Sequence, residues 1–136
     1  MELVVKLRGY FKDRSDVEVA YLFGSHASGS QGPLSDVDVA VVFKKSMTGK
    51  RRFKAVLELT GDMLELLNSE HVDVVDLDGA NLLFKSNVIK NGLVVKDNPV
   101  RPYMEYLIID DYLDRRHYDL LHAEKFLGKV TSGGLT

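Results

Sequence analysis

Residues 24–38 read Gly-Ser-His-Ala-Ser-Gly-Ser-Gln-Gly-Pro-Leu-Ser-Asp-Val-Asp, and they join two apolar runs, Val17 to Phe23 and Val37 to Phe43. In the first run Val17, Val19 and Tyr21 alternate with Glu18 and Ala20 before Leu22 and Phe23, the pattern of a strand running into a core. In the second, Asp36, Asp38, Ala40 and Val42 fall on one face, and Val37, Val39, Val41 and Phe43 fall on the other and are expected to bury against helices. The segment therefore connects two strands, and its ends are expected to be neighbours. Gly24 suits a tight strand-to-helix turn and Ser25 an N-cap. A helix starting there would offer backbone N–H groups to phosphate oxygens. Asp36 and Asp38 point to the same side, so one edge could hold phosphate and the other the divalent cation that phosphate needs.

The pattern of Gly24-Ser25, ten residues, then Asp36-Val37-Asp38 resembles the signature of the DNA polymerase β-like nucleotidyltransferases. The resemblance spans roughly residues 15 to 96. With so little chain beyond that core, the sequence resembles the minimal nucleotidyltransferases, and among them the MntA-type antitoxins encoded beside HEPN-domain toxins. The resemblance implies an α+β fold, a small mixed sheet with helices mainly on one face and the other face open at the carboxylates. It also implies transfer of AMP from ATP to a tyrosine hydroxyl of a HEPN toxin, with two Mg²⁺ ions. Gly24 and Ser25 would bind nucleotide, and Asp36 and Asp38 would bridge the metals. The segment departs from the family at Ser28, where a basic residue is usual. Two other readings are adenylylation of a small molecule such as an aminoglycoside, and a non-catalytic antitoxin acting by occlusion. Enzymes of the former kind usually carry an additional substrate domain.

Such chemistry asks for a third carboxylate, and residues 70–78, Glu-His-Val-Asp-Val-Val-Asp-Leu-Asp, offer three candidates. Asp73 lies within the apolar run, where an ionised carboxylate is costly unless a metal or partner compensates it. The family's strand pattern maps to the same residue, which completes the set Asp36, Asp38 and Asp73. Asp76 has the opposite side-chain parity. Asp78 lies beside Gly79, where a turn or helix-cap role fits better.

Length and composition bound these readings. At 136 residues the chain suits a single domain, assigned to residues 1–130, with 131–136 expected to be a disordered tail. The apolar and charged fractions, 45% and 28%, are those of an ordinary globular protein. No apolar run approaches a membrane span, and the absence of cysteine and of a signal-like start fits a cytoplasmic protein. A net charge of −2 argues against a broad nucleic-acid footprint. Lys44, Lys45, Lys50, Arg51, Arg52 and Lys54 form a local basic cluster, read as the solvated start of a helix or as a contact for triphosphate or an acidic partner. His26 reads as a polar loop residue.

Periodicity places a helix over 2–13, with Leu3, Leu7, Tyr10 and Phe11 inward, strands over 17–23 and 36–43, and a loop over 28–33. A helix over about 50–67 follows, capped by Ser46 or Thr48, with Phe53, Val56, Leu57, Leu64 and Leu67 on its apolar face. A strand over 71–77 and a helix over about 80–90 come next, the latter ended by Gly92 in a left-handed conformation. A short strand over 93–96 and a long helix over about 102–127 close the chain. On that last helix Tyr103, Tyr106, Tyr112 and Tyr118 suit a core face first and an interface second. Arg116 and His122 resemble the Arg-x(4–6)-His ribonuclease signature of HEPN toxins, but a single helix cannot supply a helical bundle. They read as a polar face or a partner surface.

Overall fold

The structure, a computed structural model, describes the backbone of residues 2–24 and 36–131, and side chains as far as Ala123. Ser25, His26, Ser28, the expected loop over 28–33 and the tail from residue 132 lie outside the described residues. The elements are α1 (Glu2–Lys12), β1 (Val17–Phe23), β2 (Val37–Phe43), α2 (Gly49–Leu67), β3 (Val72–Asp76), a 3-10 turn (Leu77–Gly79), α3 (Leu82–Asn91), β4 (Leu93–Lys96) and α4 (Arg101–Thr131). The architecture is α+β. Its four strands are ordered β3-β2-β1-β4, with β1 antiparallel to both neighbours and β2 parallel to β3. That parallel pair needs a crossover, which α2 provides.

Side-chain parity along β2 divides the core as the alternation implies. Val37, Val39, Val41 and Phe43 pack with Val4, Leu7 and Phe11 of α1 and with Ala55, Leu59 and Met63 of α2, forming the larger cluster. On the opposite face Ala40 and Val42 join Val19, Tyr21, Leu77 and Val88, with Phe23, Phe84 and Met104 packed at the edge. The second face is thus covered by α3 and the first turns of α4, while the sheet edge bearing Asp36 and Asp38 stays accessible.

Three expectations are corrected. Helix α2 is capped by Thr48, whose hydroxyl accepts from Arg51 N at 3.4 Å, but its buried stripe is Ala55, Leu59 and Met63. Phe53 and Leu57 are exposed. The helix carries two apolar stripes at helical spacing, so periodicity alone could not choose between them. Gly92 has φ −76° and ends α3 in an extended conformation. Glycine is needed there because a Cβ would lie 2.4 Å from the Val88 carbonyl oxygen. On α4, Tyr103, Tyr106 and Tyr118 are exposed and only Tyr112 is half-buried, so they do not form a core face. The helix also runs on to Thr131.

Polar contacts join Met104 in holding α4 to the sheet. The hydroxyl of Tyr21, wholly buried on β1, donates to Glu105 at 2.6 Å. Burial and this acidic acceptor push the phenol well above its ordinary pKa. Arg101 spans Asp97 and Glu105, at 2.7 and 3.0 Å, and fixes the start of the helix. The Asp97 carboxyl is correspondingly held below its usual range by the guanidinium.

Candidate active site

The register of the sheet aligns one residue from each of three strands. Asp38 on β2 is paired across to Phe23 on β1 and to Asp73 on β3, so all three side chains emerge on the same face. Gly24 directly follows Phe23 with φ +75°, a conformation that disfavours any side chain. A Cβ on Gly24 would sit 2.4 Å from Asp38 Oδ2. The backbone at the head of the 24–38 segment therefore lies against the carboxylate at its far end. The two ends of the motif are neighbours, as expected.

Asp36 stands one residue before β2 and is exposed, with Oδ1 4.0 Å from His71 Nδ1. The backbone there is fixed by Val37 N donating to the His71 carbonyl at 3.0 Å. Asp38 and Asp73 are thus brought side by side, while Asp36 turns towards His71. Among the described residues no three His, Cys, Asp or Glu side chains close into a metal-holding group. The donor set nevertheless fits a hard divalent cation. It is all carboxylate oxygen on one end of the sheet, with Asp36 and Asp73 exposed and able to turn by rotamer. Because β3 is an edge strand, Asp73 does not bear the burial cost its apolar run suggested, and its pairing with Asp38 is what places it here.

Asp76 lies on the other side of the strand. It takes a bidentate pair from Arg52 of α2, at 2.7 and 2.6 Å, and caps the 3-10 turn through Asp78 N at 3.2 Å. Arg52 also lies 3.4 Å from Asp78, and its guanidinium pKa is raised by the bond to Asp76. The cap is therefore Asp76, with Asp78 inside the turn. Arg52 serves the fold. Lys44 and Lys45 follow the end of β2 remote from Asp38, about 20 Å away at about 3.3 Å per strand residue. Lys44 and Lys45 accordingly sit at the opposite end of β2 from Asp38, which removes their reading as triphosphate contacts.

Sequence reasoning did not single out Phe23, Phe84 or His71. Phe84 of α3 meets Phe23 edge-on, with ring centroids 5.4 Å apart, and so builds an aromatic wall beside Asp38. Parity could have put Phe23 on the face of Asp38. Nothing in the sequence brings Phe84 there from 61 residues away.

The polymerase beta nucleotidyltransferase family model matches residues 5–99, which includes every strand and every carboxylate above. The chain belongs to this nucleotidyltransferase family. It is 33% identical over 76 residues to the protein adenylyltransferase MntA of Shewanella oneidensis, a match covering 56% of this chain and 51% of that protein. The chain thus aligns with about half the length of that relative. Among solved structures, a toxin–antitoxin complex with AMP-PNP is similar over 91% of this chain and 98% of that one, with TM-score 0.69 and 23% identity. The complex of a tri-AMPylated Shewanella oneidensis HEPN toxin with its MNT antitoxin gives TM-score 0.63 at 20% identity, covering 90% and 97%. At such identities the structural matches establish the fold.

Proposed function

We propose that this nucleotidyltransferase moves AMP from ATP to a hydroxyl of a partner protein, namely a tyrosine of a HEPN-domain toxin, and acts as its antitoxin. The observation that carries this reading is the register that pairs Asp38 with Asp73 on one side and with Phe23 on the other, so that Gly24, directly after Phe23, lies against Asp38. A curated relative is named a protein adenylyltransferase, and two related folds were solved with AMP-PNP or with an AMPylated HEPN toxin.

In this reading Asp36, Asp38 and Asp73 would hold two Mg²⁺ ions, with Asp73 a further ligand beside Asp36 and Asp38. When bound, such a pair lowers the pKa of an attacking hydroxyl and offsets charge on a departing pyrophosphate. On the family resemblance, Gly24 and Ser25 would offer backbone N–H groups to the phosphates. Asp38 lies against Gly24, which would set those phosphates beside the carboxylates. The acceptor oxygen bonds to the α-phosphorus as the bond to pyrophosphate breaks, and the hydroxyl proton is lost. Proximity of both ends of the 24–38 segment is what makes this alignment possible.

Asp38→Asn tests it. The substitution removes charge with almost no change in volume, so the melting temperature should hold. Transfer of AMP to a HEPN-domain toxin that this chain modifies should fall about a hundredfold or more. If Asp38→Asn neutralises that toxin as well as the parent does, the non-catalytic reading favoured by Ser28 replaces this one.

A further inference from the structure

Beyond the carboxylates, the described molecule has an open groove of about 400 Å³ between the start of α3 and the middle of α4. It is lined by Leu82, Leu83, Tyr112 and Leu120, with Arg115, Arg116 and Asp119 at its polar side. Leu83 and Leu120 are 57% and 58% exposed, too much for residues whose role is confined to this chain's own core. From Leu113 to Ala123 every residue of α4 is exposed, including Leu113, Tyr118 and Leu121. An amphipathic helix half of this kind has little stability without a partner along its apolar side. The groove also adjoins the reaction edge. Leu83 is next to Phe84, Phe84 meets Phe23 at 5.4 Å, and Phe23 is the cross-strand neighbour of Asp38.

We infer that this groove docks the acceptor protein through an amphipathic helix of that protein, apolar towards Leu83, Tyr112 and Leu120 and acidic towards Arg115 and Arg116. The inference rests on the protein-acceptor reading above and adds where the acceptor is held. Three features select this occupant. The lining needs an apolar stripe that a single helix can supply. The paired arginines on the rim complement carboxylates on that stripe's flank. The position beside Phe84 lets a segment adjoining the docked helix bring a hydroxyl to Asp38 and Asp73.

The test uses the full chain with a HEPN-domain protein as acceptor. Leu83→Asp and Leu120→Asp place a charge in the groove at exposed positions, so both should fold, as circular dichroism would verify. Arg115→Glu/Arg116→Glu reverses the rim. The expected result is a rise of at least tenfold in KM for the acceptor, with kcat and calorimetric AMP-PNP affinity unchanged. An unchanged acceptor KM in all three variants overturns the proposal. So does a parent dimer that the leucine variants convert to monomer with acceptor KM unaltered, since the occupant would then be a second copy. If the parent transfers no AMP at all, the activity reading fails separately. Size-exclusion co-elution then decides the groove: loss of the complex in the variants supports docking there, and its retention overturns it.

Discussion

Gly24 concentrates the logic of the edge into one backbone position. Its φ of +75° costs an ordinary residue about 1–2 kcal/mol, and the 2.4 Å approach of a Cβ to Asp38 Oδ2 adds a collision that Asp38 can relieve only by moving. Gly24→Ala is therefore expected to lower the melting temperature and to reduce AMP transfer by more than the lost stability explains. Transfer measured well below the melting temperature separates the two effects. Gly61 is the control: it lies within α2 with nothing within 4 Å of a Cβ. Gly61→Ala should stabilise by about 0.5–1 kcal/mol and leave transfer unchanged. Much of this site was legible in the sequence. The Gly-Ser and Asp-x-Asp spacing needs no tertiary information, and parity along the third strand separated Asp73 from Asp76. That the ends of the 24–38 segment meet was legible. How closely Gly24 approaches Asp38 Oδ2, and the Phe84 wall, were not, because they depend on strand register and on where a distant helix crosses the sheet.

At the scale of elements, α2 shows where periodicity stops being informative. Ala55, Leu59 and Met63 fill the core, while Phe53 and Leu57, also at i, i+4 spacing, face outward. A helix with two apolar stripes leaves its phase to the sheet it packs on, and the sheet's phase is set by pairing elsewhere in the chain. Chemical denaturation of two single variants checks the assignment. Leu59→Ala should cost about 2–5 kcal/mol, the range for emptying a buried leucine site. Leu57→Ala should stay within about 0.5 kcal/mol, as surface changes do. Equal losses would restore the phase that periodicity suggested. The strands, by contrast, were read nearly to the residue, because their runs of β-branched and aromatic residues are bounded at both ends by polar and turn residues.

The whole molecule depends on how α4 is attached, since its first turns join the second core through Met104 while every residue from Leu113 to Ala123 is exposed. Tyr21 and Glu105 supply the polar part of that attachment. A hydroxyl donating to a carboxylate in a buried setting contributes about 1.5–3 kcal/mol, so Tyr21→Phe should lower stability by that order while the ring keeps the core filled. The pH dependence has a definite sign. Burial first, and then the bond to Glu105, raises the Tyr21 phenol pKa in the folded state, so folding favours the protonated form. This stabilisation is fully present below the unfolded phenol pKa near 10 and is lost as pH rises through the folded value. Tyr10, raised by burial and its bond to Asp62, acts with the same sign between α1 and α2. Unfolding free energy measured from pH 8 to 11 should thus fall less steeply above pH 10 in Tyr21→Phe than in the parent, and least in the Tyr10→Phe/Tyr21→Phe double variant. Parallel curves for parent and variants would mean that neither phenol is held protonated by the fold, and that α4 is anchored by Met104 and the Asp97–Arg101–Glu105 chain alone.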